Sequence, residues 1–171
     1  SQIKYDLEWL GIDYDETFNQ SSRFERYKEQ FEKLKSDGRI YACYETPEEL
    51  ERKRKLQMAA GGKQVYDRSA LKLTEQQIKD YENDGRKPHW RFLLQTERMK
   101  WNDLLKGEID IDLTSLSDPV LFREDGVPLY TFSSAVDDVD CNITNVIRGD
   151  DHTSNTAVQI EIINALDENK I

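Results

Sequence analysis

The sequence predicts an α/β fold, on three observations. Serine or threonine followed three residues later by glutamate or glutamine recurs at Ser22–Glu25, Thr46–Glu49 and Thr74–Gln77, each ahead of a stretch with helical character. From His89 the pattern changes to that of strands, with Glu108 to Leu113 alternating at period two. Ile143 to Ile147 then reads as a buried strand ending in Arg148-Gly149-Asp150-Asp151, after which Ser154, Asn155 and Thr156 open another helix. Polar groups so placed converge at a strand's carboxyl end, where open α/β sheets bind ligands.

Taken in order, the first helix follows Ser22, with Phe24, Tyr27, Phe31 and Leu34 at helical spacing and Gly38 as its stop. That apolar stripe reads as core. Thr46 opens a second helix, with Pro47 at its first position, running toward Gly61-Gly62. Thr74 opens a third, ending near Gly85. Trp90 to Leu94 and Val120 to Arg123 read as strands, and Glu124-Asp125-Gly126 is a strong turn signal. Tyr130 to Val139 is expected as a helix, Ile143 to Ile147 as a buried strand and Thr156 to Leu166 as a helix. That last unit needs neighbouring strands over its apolar faces. Residues 1–38 and 127–171 are therefore expected to pack together, with 39–126 inserted between them. No internal repeat or low-complexity tract is present.

The length of 171 residues suits one domain with a sizeable core, or two small ones sharing an interface. No apolar run approaches the length of a membrane span, and Ser1-Gln2-Ile3-Lys4 lacks a signal pattern, so a soluble cytoplasmic protein is expected. Cys43 and Cys141 lie far apart, which fits a reducing compartment, and each is expected as a small buried side chain. The net charge of −10 argues against indiscriminate binding to nucleic acid. Residues 45–100 alone carry a net positive charge, so RNA would be favoured there; solvated helix surfaces explain the imbalance equally well.

Arg148, at the end of a strand, suits a bidentate contact with a carboxylate ligand. Pairing with Asp150 or Asp151 is the competing reading, and both stay open. The acids Asp137, Asp138, Asp140, Asp150 and Asp151 also raise a two-cation hydrolase, which no paired histidines or further carboxylate motif supports.

Tyr130, Asp137-Asp138 and Ile147-Arg148-Gly149-Asp150-Asp151-His152 resemble, at matching spacing, a series in bacterial glutamyl-tRNA synthetases, which are class I enzymes. Further matches are Asp6 to Gly11, Gln20-Ser21 with Arg23 and Tyr27, Tyr41 to Leu50, Tyr66-Asp67 and Ser117-Asp118-Pro119, in collinear order over nearly the whole chain. The resemblance implies the second half of a class I Rossmann-like nucleotide-binding fold (1–38 and 127–171) with an inserted mixed α/β acceptor-binding domain (39–126). It implies a parent enzyme that joins glutamate to tRNA(Glu) through glutamyl-adenylate, using ATP with Mg²⁺, as a monomer away from membranes.

By the same resemblance Arg148 binds glutamate and Tyr130 lines its pocket, with Ser134 where the family often has a polar residue. Asp151 and His152 match positions beside ATP, and Asp138 one near the reaction centre at the acceptor end. Arg68, Arg91 and Arg123 are the cationic candidates for the acceptor end, since phosphate contact needs guanidinium or ammonium groups. No residue of the segment is assigned as catalytic. Some relatives hold zinc through Cys-x-Cys and Tyr-x-x-x-Cys segments. Here these read Cys43-Tyr44-Glu45 and Tyr66 to Ala70, one cysteine in place of three, so no zinc is expected.

The family's His-Ile-Gly-His-like and Lys-Met-Ser-Lys-Ser-like motifs are absent from these residues. The chain is accordingly expected to be an internal segment of the catalytic domain, inactive alone. Two rival functions are a paralogue that glutamylates a modified tRNA base and a non-catalytic binder of the tRNA acceptor stem.

Overall fold

In the computed structural model, which describes residues 2–167, two of the three capping patterns close as boxes. Thr46 Oγ1 accepts from the Glu49 amide at 3.3 Å and the Glu49 carboxylate accepts from the Thr46 amide at 2.9 Å, opening α3 (Pro47–Ala59). Thr74 and Gln77 do the same for α4 (Glu75–Asn83). Ser22 differs. Its hydroxyl donates to the Asn19 carbonyl at 2.7 Å within the 3₁₀ turn Gln20–Ser22, and α2 (Phe24–Ser36) starts after Arg23 with no side-chain cap. Serine bonds to nearby backbone in a turn as readily as at a cap, and here the turn is nearer.

The strands form two antiparallel sheets. Central β2 (His89–Phe92) pairs with β1 (Ile40–Cys43) on one side and β5 (Val120–Phe122) on the other. The turn after β5 brings Pro128 back against Phe122, with Gly126 at a φ of +79° that favours glycine. The second sheet is the hairpin of β3 (Arg98–Asp103) and β4 (Gly107–Asp112). Neither β1 nor β3 is among the strands expected from the sequence, although Met99 and Trp101 alternate with charged residues. Nor is α1 (Gln2–Trp9), which has no buried residue.

Helices α2, α5 (Tyr130–Asp140) and α6 (Thr153–Leu166) share one core with the sheets: Tyr27, Leu34, Phe92, Leu121, Phe132, Val136, Ala157 and Ile162 are buried together. Burying such side chains contributes roughly 1.5–3 kcal/mol each. Polar ties join α2 and the turn before it to α5 across more than a hundred residues of chain. Asp137 accepts from Tyr27 Oη at 3.0 Å, Arg23 Nε at 2.7 Å and Gln20 Nε2 at 3.0 Å. Asp140 accepts from Arg26 at 2.7 Å and from Arg23. These partners account for two members of the acidic cluster without any metal.

Hydrogen bonds from Arg26, and then from Arg23, hold the Asp140 carboxyl below its usual range. A depressed folded value gives stability that is complete above the unfolded value, near 3.9, and is lost as pH falls through the folded one. The melting temperature should therefore fall as pH drops from about 5 toward 2. Asp140→Asn should be less stable at neutral pH and lose less on acidification; an unchanged acid limb in thermal melts would refute the assignment.

The expected buried strand at Ile143 to Ile147 does not form. Residues 141–149 carry no helix or strand, Ile143 and Val146 are about half exposed, and Ile147 is fully so. No described strand lies alongside, and a strand's backbone groups need a paired neighbour. Every strand pair among the described residues is antiparallel, and residues 2–38 and 127–167 supply helices but no named strand. Cys141 is a second correction: Cys43 is buried, whereas Cys141 is exposed at the end of α5. Ser1 and residues 168–171 of the expected domain bounds lie outside the described residues.

Candidate active site

Arg148 stands half-buried in the loop before α6, and its Nη1 donates to Thr156 Oγ1 at 3.2 Å. Neither neighbouring aspartate takes it. Asp150 pairs instead with Lys106 at 2.7 Å, and Asp151 lies 3.8 Å from His152 Nε2. One side-chain bond to a hydroxyl leaves most of a five-donor guanidinium for a ligand. Arg148, Gly149, Asp150, Thr153 and Thr156 line a cleft whose other wall is Trp101, Asp103, Lys106 and Ile109. A Cβ on Gly149 would meet Asp151 Oδ1 at 2.6 Å, so glycine leaves room for that carboxylate to fold back. Lys106 and Trp101 escaped the sequence reading.

The other expected ligand residues lie outside that cleft lining. Tyr130 opens α5 with most of its surface exposed, and Ser134, one turn on, accepts from Gln159 Nε2 of α6 at 2.8 Å. Asp151 and His152 are exposed in the 3₁₀ turn Asp150–His152 that leads into α6. His152 Nδ1 lies 3.1 Å from Asn155 Nδ2, a geometry that leaves the ring's tautomer an inference. Asp138, on α5, is partly exposed.

The three arginines expected at an RNA acceptor end have different surroundings. Arg123 is exposed and paired with Asp125 at 2.9 Å. Arg68, at a left-handed φ of 54°, donates through Nε and Nη2 to both oxygens of Asp118 at 2.8 Å. Arg91 is buried; it donates to the Asp118 carbonyl at 2.6 Å and stacks 4.2 Å from the Tyr66 ring centroid. Direct phosphate contact by Arg91 would require leaving that position, because a buried guanidinium needs its partners. Asp118 is the polar centre here; the sequence named it only within the matching run Ser117-Asp118-Pro119 and gave it no role.

At the segments that match a zinc site in some relatives, the residues do not fit the metal. Tyr66 Oη donates to Glu45 Oε1 at 2.8 Å and lies 3.7 Å from Cys43 Sγ. Lys53 Nζ lies 3.1 Å from the same Glu45 oxygen, 3.3 Å from Asp67 and beside Ser69 Oγ, so an ammonium already supplies the positive charge. Burial pushes the Cys43 thiol up to about 12, away from the thiolate a zinc ligand must be. Among the described residues no three His, Cys, Asp or Glu side chains are grouped to hold a metal ion. Elemental analysis should give substoichiometric zinc, with a melting temperature indifferent to chelator. Lys53→Met should cost about 1–3 kcal/mol by leaving Glu45 without its cation. One zinc per chain, or a neutral Lys53→Met, would overturn this account.

Residues 1–170 match the family described as class I tRNA synthetases (E and Q), catalytic domain. The chain belongs to that family. This synthetase chain is 54% identical, over 96% of its length, to glutamate–tRNA ligase 1 of Maricaulis maris, and covers 37% of that protein. It is 56% identical over 97% of its length to glutamate–tRNA ligase 2 of Beijerinckia indica, again covering 37%. A crystal structure of a glutamate tRNA ligase from Elizabethkingia meningosepticum, in complex with its amino acid, superimposes with a TM-score of 0.84 at 27% identity. It matches 96% of this chain and 36% of that one. The synthetase chain thus spans a little over a third of the relatives it matches. Among its described residues, no helix is long and apolar enough to cross a membrane.

Proposed function

We propose that this chain is the part of a cytoplasmic glutamate–tRNA ligase that helps hold glutamate and ATP and carries the domain for the tRNA acceptor end. The observation that carries the reading is Arg148, half-buried in a cleft and unpaired with either adjacent aspartate. A carboxylate ligand there receives two parallel charge-assisted hydrogen bonds. Tyr130 and Ser134, on α5 outside the cleft lining, are assigned to the glutamate from the family resemblance alone. Asp151 accepts from ribose hydroxyls of ATP, and His152 packs beside the nucleotide. Mg²⁺ enters with the ATP phosphates.

Arg123 and Arg68 face the acceptor end with Asp138 near the reacting ribose, and Arg91 supports Arg68 by holding the carbonyl of the Asp118 that pairs with it. The chemistry needs reactants aligned and developing charge stabilised. The glutamate carboxylate attacks the α-phosphorus of ATP to give glutamyl-adenylate and pyrophosphate, and the terminal ribose hydroxyl then attacks the acyl carbon, forming the glutamyl ester and releasing AMP.

Full-length enzyme carrying this segment should exchange pyrophosphate into ATP with glutamate and form glutamyl-tRNA. Exchange supported by a different amino acid would overturn the substrate assignment. The 171-residue chain alone, without either phosphate-binding motif, should give no exchange above a no-protein control, even with tRNA. Activity there would overturn the fragment reading.

A further inference from the structure

We propose that the β3–β4 hairpin is a built wall of the Arg148 cleft and that Lys106, at its turn, is a positioning residue for the Asp150–His152 turn. The inference rests on the reading of that turn as part of the ATP site, and it makes the geometry of the site depend on the inserted segment.

The hairpin is anchored at its base. Met99 is buried in the common core, and Trp101 and Ile111 pack against it, as do Ile160 and Ile163 of α6. Six residue pairs, from Arg98 with Asp112 to Asp103 with Gly107, set the register that carries this anchorage to the turn.

The turn itself is specified. Asp103 Oδ1 accepts from the amides of Leu105 and Lys106, both at 2.9 Å, and Gly107 takes a φ of +75° that favours glycine. Lys106 is thus presented from a fixed backbone, and its Nζ meets Asp150 Oδ1 at 2.7 Å. On the other side Thr153 Oγ1 donates to the Asp150 carbonyl at 2.6 Å, tying the same residue to the start of α6. Asp150 is held from two sides, and Asp151 and His152 follow it directly. The Lys106–Asp150 pair is largely exposed, so its loss removes little stability and acts through placement of the turn.

The test is steady-state pyrophosphate exchange by full-length enzyme, varying ATP and glutamate separately, with thermal melts of each variant. Lys106→Ala and Asp150→Asn should each raise KM for ATP about two- to fivefold, the range for one exposed ion pair, with kcat nearly unchanged. Lys106→Arg should restore the wild-type value, and the double variant should be no worse than either single one. Wild-type KM values in Lys106→Ala would overturn the role of the hairpin, as would a fall in kcat and melting temperature with KM intact. Asp151→Ala separates the two claims. If it raises KM for ATP while Lys106→Ala is silent, only the hairpin inference fails; if it too is silent, the reading of the turn as part of the ATP site fails.

Discussion

Arg148→Lys is expected to raise the Michaelis constant for glutamate, or to depress turnover, by about one to two decades in the full-length enzyme, as steady-state kinetics will show. Lysine keeps the charge but loses the planar fork that grips a carboxylate through two parallel hydrogen bonds. Losing one charge-assisted bond costs on the order of 1.5–3 kcal/mol, which sets that range. The fold should survive, because the guanidinium's hydrogen bond among the described residues is one contact with Thr156 rather than a core ion pair. Near-wild-type use of glutamate by a folded Lys variant would make Arg148 structural and undo the pocket built around it with Tyr130 and Asp151.

Asp118→Ala should be the most destabilising single change among those considered, on the order of 3 kcal/mol in denaturant unfolding. The Asp118 carboxylate is buried and accepts from Arg68 twice, from Tyr41 Oη at 2.6 Å and from the Leu94 amide at 3.1 Å. Removing it strands a tyrosine hydroxyl, a buried amide and a guanidinium at once. Arg68 is partly exposed and can turn to water, which keeps the cost at the lower end for a broken buried pair. A loss below about 1 kcal/mol would mean that water replaces the carboxylate, and the Asp118 side chain would no longer explain why Arg68 sits where it does.

Which features were legible follows how local their causes are. Thr46 and Thr74 cap their helices through residues three positions away, so the pattern contained nearly all the physics. The turn at Glu124 to Gly126 and the alternation of β4 are equally local. Ser22 shows the limit, since the same pattern had a nearer acceptor in Asn19. Ile143 to Ile147 show another: an apolar run becomes a strand only beside a partner. β1 was missed because four residues carry too little periodicity, and gain their identity from β2.

The site divides in the same way. The position of Arg148 just before a helix, the composition of its loop and the membership of the chain in its family were all contained in consecutive residues. The sequence by itself also determined that Cys43-Tyr44-Glu45 and Tyr66 to Ala70 carry one cysteine rather than three. Only the tertiary structure decided that Lys53 meets Glu45, that Asp118 claims Arg68 and Arg91, and that Lys106 rather than Arg148 takes Asp150. Each of these choices depends on which distant segments the packed core brings within about 3 Å, the hydrogen-bonding distance, and a charge has no sequence pattern that names its partner in advance.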